Sequence, residues 1–229
     1  MGQKKLCPIR CQCEIDEYER QEKERREAER RRRVQKYFSI ADVGEKLKDA
    51  SFKDYEKVQG NQIAFREAAL FVKEFEARKK LPSQKGLLIY GRSGNGKSHL
   101  AAAIAKNLND KGYIVVFQNV PKFIRQLAAN FSEAETRLLQ AITEADVVIL
   151  DDVGSGSWNK IYQGKFEEIM ECLSFNNKVL VATTNLDPMG NMESTLGERS
   201  MDRLIDLCRL VENKAKSYRR KRAAERIGG

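Results

Sequence analysis

The chain has 229 residues, which suits one medium α/β domain with a small appendage, and its 41% hydrophobic content excludes global disorder. With 42 Lys and Arg against 33 Asp and Glu, the formal net charge is +9, which favours anionic partners without specifying a fold. No apolar run approaches the about 18 residues of a membrane span, and the start MGQKKLCPIRCQC lacks the apolar core of a secretory signal. The five unevenly placed cysteines do not make a disulfide framework, so the expectation is a cytoplasmic protein with reduced thiols and no membrane partner.

Residues 14–36 are almost wholly charged, with acids and bases mixed at three- and four-residue spacing, and they close on the basic run Arg30–Arg33. Such spacing supports an exposed helix, read either as a solvated spacer or as an arm that docks a partner. Residues 61–79 then place Phe65, Ala68, Ala69, Phe71, Val72 and Phe75 on one helical face, and Pro82 ends the pattern. From Gly86 the chain alternates. Strands are expected at 86–90, 113–117, 146–150, 178–184 and, less distinctly, 207–211. Helices are expected at 98–109, 121–130, 132–143, 160–174, 196–206 and, strongly basic, at 217–227. Strands alternating with helices predict a three-layer αβα sandwich on a mainly parallel five-stranded sheet. A helical arm over residues 1–50 precedes this domain, which is expected to occupy 51–229.

The first strand, GLLIY, runs directly into GRSGNGKSHL, in which Gly91, Arg92, Ser93, Gly94, Asn95, Gly96, Lys97 and Ser98 fit a single phosphate-loop spacing. Glycines let the backbone curl until several N–H groups point at one anion, and the following helix aims its positive end there. Lys97 is placed to reach the β- and γ-phosphates of ATP, and the Ser98 hydroxyl to sit on Mg²⁺. His99 closes the nucleotide-binding stretch and is read as a packed helix residue without chemistry of its own. The strand DVVIL ends in Asp151 and Asp152, at the carboxyl end where open α/β sheets bind ligands. Asp151 is assigned to Mg²⁺ and Asp152 to the attacking water. A second buried strand, VLVATTN, presents Thr183, Thr184 and Asn185 in the same way.

These stretches, together with LGERSMDRL (196–204) and SYR (217–219), resemble the AAA+ ATPases of the DnaC/DnaI type, the bacterial helicase loaders, over roughly residues 50–225. The resemblance implies a sensor role for Asn185 and for Arg219. It also implies that Arg203 is an arginine finger delivered to a neighbouring subunit, with Arg199 one turn earlier as its rival. The residues alone show two arginines four apart on a helix face. Asp152 stands where many AAA+ proteins carry Glu, a feature of the helicase-loader and IstB-like branch, and the shorter acid fits weak ATP hydrolysis unless DNA or a partner stimulates it. Related loaders carry a zinc module near the N-terminus. Cys7, Cys11 and Cys13 are the candidate zinc ligands here, but no fourth ligand lies near, which tetrahedral structural zinc requires, so they read either as a zinc site or as a degenerate remnant of one.

Implied partners are a hexameric replicative helicase, single-stranded DNA and further copies of the chain joined through the ATP site. Candidate DNA contacts are Lys122 and Arg125 with Phe123 as a stacking platform, besides the Arg30–Arg33 run and RRKR at 219–222. The first functional expectation is an ATP-dependent helicase loader. An IstB-type transposition helper acting on duplex DNA is the second, and a nucleotide-binding scaffold with little turnover is the third.

Overall fold

The computed structural model describes residues 11–37, 43–45, 47–129, 131–156 and 158–227. Its sheet comprises β1 (Gly86–Tyr90), β2 (Val115–Asn119), β3 (Val147–Val153), β4 (Val179–Thr184) and β5 (Cys208–Glu212). The strands pair in the order β2-β3-β4-β1-β5, and every pairing is parallel. The first four strands are apolar on both sides because helices cover both faces. β5 differs, burying Cys208 and Val211 while exposing Arg209 and Glu212, as suits the edge of the sheet.

Alternate residues of each strand feed two separate cores. Leu87, Ile89, Val115, Phe117, Val147, Ile149 and Val181 pack under α2 (Gln62–Lys73), α3 (Phe75–Arg78) and α4 (Lys97–Asp110). Leu88, Val116, Val148, Leu150, Leu180 and Ala182 pack on the other face, under α5 (Val120–Ala129), α6 (Phe131–Glu144), α7 (Lys160–Phe175), α8 (Met192–Leu196) and α9 (Glu198–Leu207). The expected sandwich is thus the fold found, with a sheet that is wholly parallel. Two further helices complete the described chain: α1 (Gln12–Tyr37) and α10 (Tyr218–Ile227). No described helix is long and apolar enough to cross a membrane.

Four elements differ from the sequence expectation, the first being β3, which runs through both acids to Val153, three residues beyond the expected end. The helix expected over 61–79 breaks at Glu74, and Phe75 buries with its ring centroid 4.7 Å from Tyr113 and 5.6 Å from Phe71. The helix expected at 196–206 begins at Glu198 as α9, and Gly197 parts it from a short preceding helix, α8, that was not expected. β2 begins two residues later than expected, because Ile114 is held outside it: its N–H donates to Asp146 Oδ2 at 2.8 Å and its carbonyl accepts from Asp146 N–H at 2.8 Å. That shift carries Asn119 to the strand end, in register with Asp151.

The charged helix α1 is mostly solvated, and before Arg30 it carries intrahelical ion pairs, as with Arg26 and Glu22 at 3.1 Å. Its far end is fastened to the domain. Arg30 Nη2 lies 3.1 Å from Asp146 Oδ1, Arg30 Nε donates to the Glu144 carbonyl at 2.5 Å, and Arg31 donates to the Gly112 carbonyl. Asp146 and Gly112 precede β3 and β2, so the arm meets the sheet at the ends opposite Asp151 and Asn119. Burial pushes the Asp146 carboxyl up, but the Ile114 N–H, the Arg30 charge and hydrogen bond, and Lys79 outweigh it and leave its pKa below the ordinary 3.8. A carboxylate with a depressed pKa contributes stability that is present above its ordinary pKa and lost as pH falls through the lower, folded value. The Arg30–Asp146 ion pair is therefore complete at neutral pH and weakens only in acid below pH 3.8, while the bonds to the Glu144 and Gly112 carbonyls do not titrate. Arg30→Ala is expected to weaken docking by about 1–2 kcal/mol, a part-buried charged hydrogen bond. Amide exchange should then rise in the last turns of α1 while the strands stay protected. Unchanged exchange there would show that Arg30 does not hold the arm.

The expectation of reduced N-terminal thiols needs correction. Cys11 and Cys13 are joined in a disulfide, two residues apart at the start of α1 with Cα atoms 5.4 Å apart. Neither offers zinc a thiolate in that state. Cys7 lies outside the described residues, and among the described residues no three His, Cys, Asp or Glu side chains group to hold a metal.

Candidate functional site

The carboxyl ends of β1, β4 and β3 lie side by side, and each delivers one part of the site. After β1 the chain turns through Gly91–Gly96 into α4. Gly96 takes φ 95°, a left-handed conformation open to glycine, and a Cβ there would come within 2.9 Å of the Tyr55 ring. This turn brings Lys97 back across the loop. Its ammonium donates to the Gly91 carbonyl (2.8 Å), the Arg92 carbonyl (2.8 Å), Asn95 Oδ1 (3.2 Å) and, across to β4, Asn185 Oδ1 (2.8 Å). Lys97 is only 6% exposed. Burial draws its pKa down from 10.5 to about 8, against the Asp152 and Asp151 carboxylates, which raise it; the Arg219 charge lowers it further.

β3 supplies the acids. Asp151 is buried, accepts from Thr183 Oγ1 at 2.7 Å and from Asn119 Nδ2 at 3.4 Å, and has Ser98 beside it. Burial raises its pKa, the Thr183 hydrogen bond and the neighbouring Ser98 hydroxyl oppose that rise, and the Asp152 charge adds to it. Asp152 has a left-handed φ of 63° where the β3–β4 register shifts between Leu150 and Val153. Its N–H donates to Thr183 Oγ1 at 2.9 Å, and its Oδ1 accepts from Asn185 Nδ2 at 3.0 Å. Asn185 therefore bridges the loop lysine and the second acid, one amide oxygen to Lys97 and the amide nitrogen to Asp152.

Arg219 also reaches this site, from the far end of the chain. The N–H of Tyr218, at the start of α10, donates to the Gly94 carbonyl at 2.8 Å, and a Cβ on Gly94 would lie 3.6 Å from Arg219 Cδ. Arg92 and Ser93 stand exposed at the loop tip. His99 points away: its Nε2 is 2.8 Å from the Ser51 carbonyl and its ring packs on Tyr55 at 5.4 Å, in keeping with a packing residue.

Arg199 and Arg203 lie on α9 and turn toward α7. Arg199 Nη1 donates to Glu167 Oε1 at 3.0 Å and is 79% exposed. Arg203 is 28% exposed, sits 3.9 Å from Glu167 and 4.0 Å from Glu171, and its Nη1 is buried without a hydrogen-bond partner among the described residues. The two arginines are thus brought together on a helix pair of their own.

A profile of the IstB-like ATP binding protein family matches residues 15–226. The chain belongs to that family. This IstB-like protein is 26% identical over 176 residues to the replicative helicase loader DnaC of Escherichia coli K12, covering 75% of this chain and 69% of the relative. It is 30% identical over 149 residues to a putative insertion sequence ATP-binding protein of Sinorhizobium fredii, covering 61% of this chain and 48% of that one. Among solved structures, the crystal structure of DnaI superposes with a TM-score of 0.62 at 28% identity, covering 74% of this chain and 93% of that one. The DnaC helicase loader superposes with a TM-score of 0.65 at 24% identity, covering 75% and 100%, and AMPPCP-bound DnaA from Aquifex aeolicus with 0.61 at 21%, covering 81% and 55%. The chain thus spans about half the DnaA chain, and these last two likenesses speak for the fold.

One expected site fails. Phe123 is 4% exposed and part of the core beneath β3, so it cannot stack on a base. α5 amphipathicity explains this, since Val120 and Phe123 share its buried face while Arg125 is exposed. The backbone N–H of Lys122 caps on Asn119 Oδ1 at 3.1 Å. Several participants carried too little signal to be named from sequence. Asn119 was hidden by the misplaced end of β2. Asn213, just past β5, exchanges hydrogen bonds with Asn95 at 2.6 and 3.0 Å and donates to the Tyr55 hydroxyl at 3.3 Å. The strand-end rule that found Asp151 applies equally to Asn213. Tyr55, an isolated aromatic, has no comparable cue.

Proposed function

We propose that this chain is an ATP-dependent loader that delivers a hexameric replicative helicase onto single-stranded DNA and hydrolyses ATP between adjacent subunits. The observation that supports it most directly is the bonded chain Lys97–Asn185–Asp152, with Ser98 beside Asp151 and Arg219 against the same loop. In this reading Lys97 exchanges its four oxygen acceptors for the β- and γ-phosphates. Ser98 and Asp151, which stand beside each other, fit as holders of Mg²⁺, which would neutralise phosphate charge when bound. Asp152 takes the proton of the attacking water, and Asn185 turns from Lys97 to the γ-phosphate. Arg203 comes from the neighbouring subunit. Residues 1–50 are the arm that grips the helicase, and 51–229 the ATPase domain.

The likeness to DnaC supports the loader reading. The family match and the Sinorhizobium relative support a second one, an ATP-dependent helper of transposition acting on duplex DNA. Co-elution with the replicative helicase, with and without ATP, separates them, run beside a version lacking residues 1–50. The loader reading expects a complex that needs those residues. ATP-dependent filaments on duplex DNA, with no helicase complex, would replace it by the second. An Asp152 variant that keeps full biological activity would point instead to a scaffold with little turnover.

A further inference from the structure

Asp152 is held in a way that its own motif does not explain. After β3 the chain reverses in a tight turn, closed by the Ser155 N–H donating to the Asp152 carbonyl at 3.2 Å. Gly154 makes the turn possible: it takes φ 78°, and a Cβ there would approach Leu186 Cδ1 to 2.2 Å. The turn stacks on the segment that carries Asn185 and folds Ser155 over the acid. Ser155 Oγ donates to Asp152 Oδ1 at 2.6 Å, the shorter of the two hydrogen bonds which that oxygen receives. Asp152 Oδ2 receives none from any described residue.

We infer that Ser155 is a positioning residue for ATP hydrolysis, holding Asp152 by Oδ1 so that Oδ2 faces the attacking water. The inference rests on the hydrolase reading above. Three observations carry it. First, the aspartate is one methylene shorter than glutamate and its backbone is left-handed, so its carboxylate direction has to be set by its neighbours. Second, the other donor to Oδ1 is shared, since Asn185 also accepts from Lys97 at 2.8 Å. When Lys97 leaves for phosphate and Asn185 follows, Ser155 is the donor that remains. Third, both donors meet on Oδ1, which reserves the lone pairs of Oδ2 for a proton. Asp152 then accepts the water proton on Oδ2 as the water oxygen attacks phosphorus, and the ADP oxygen leaves with the bond electrons.

The test is steady-state ATP hydrolysis by the full chain with Mg²⁺ and mixed-sequence single-stranded DNA, comparing wild type, Ser155→Ala and Ser155→Thr. Ser155→Ala should lower kcat by about tenfold, the weight of one hydrogen bond to a charged group, with KM and melting temperature unchanged. Ser155→Thr carries the same hydroxyl and should restore kcat. Wild-type kcat in the alanine variant, a change confined to KM, or no rescue by a threonine variant that melts normally would each overturn the role. A wild-type chain that binds ATP and never turns it over would overturn the hydrolase reading, and the role with it.

Discussion

Lys97→Ala is expected to lose ATP binding, with affinity falling by at least about 100-fold, the scale of removing a buried charge-assisted contact to phosphate. The geometry explains why the loss is specific. The ammonium shares its three hydrogens among four oxygens from two segments: the loop (the Gly91 and Arg92 carbonyls and Asn95 Oδ1) and Asn185 after β4. Burial already works against its charge, as its pKa of about 8 reflects. Removing the side chain frees those acceptors but also relieves a desolvated cation, and the two effects oppose each other in stability. The folded domain should survive, with the melting temperature near that of wild type. Arginine is no remedy, because a planar fork does not match four convergent acceptors. Titration with a fluorescent ATP analogue decides the matter. Wild-type affinity in a folded Lys97→Ala chain would sink the assignment of the loop as a triphosphate cradle.

The parts of this molecule that could be read in the sequence are those whose chemistry is local. Gly91 to Ser98 are consecutive, and the strand before them and helix after them supply their context within a few residues. Asp151 and Asp152 lie at the end of one buried strand and Asn185 follows another, and a buried strand announces its own end. What stayed hidden depends on register or on distant contacts. A two-residue error at β2 concealed Asn119, because the capture of Ile114 by Asp146 links positions 32 residues apart. The Arg30 anchor spans 114 residues to Glu144, so the same charge pattern read equally well as a free spacer. Phe123 was misjudged for a different reason: flanking Lys122 and Arg125 suggested a DNA contact, while helical periodicity with Val120 pointed it inward. Ser155 has no sequence signal at all, since a serine in a glycine-rich turn ordinarily serves the turn alone.

The pair Arg199 and Arg203 is where sequence and structure have to be read together, and it gives the second large expectation. Arg199 is bonded to Glu167 yet largely exposed, so its ion pair is worth little. Arg203 is drawn against α7 between Glu167 and Glu171, neither close enough for a strong bond, and among the described residues its Nη1 is buried without a hydrogen-bond partner. A guanidinium held by two long ion pairs gains from meeting a phosphate, because little has to be broken to free it. Arg203→Ala is therefore expected to keep ATP binding and to lose about 10³-fold or more of the hydrolysis stimulated by DNA or partner, the scale of an arginine supplied to phosphoryl transfer. Mixing tests whether it acts between subunits. Asp152→Asn chains retain Arg203 but cannot activate water, and Arg203→Ala chains have the converse defect. Together they should recover part of the stimulated rate, because some junctions then combine an intact acid with an intact arginine. No recovery on mixing would place the arginine in its own subunit's site. Stimulation that survives Arg203→Ala and disappears in Arg199→Ala would transfer the role to the exposed neighbour. In that case Arg203 is a packing residue that fastens α9 to α7, and its alanine variant should lower the melting temperature instead of the rate.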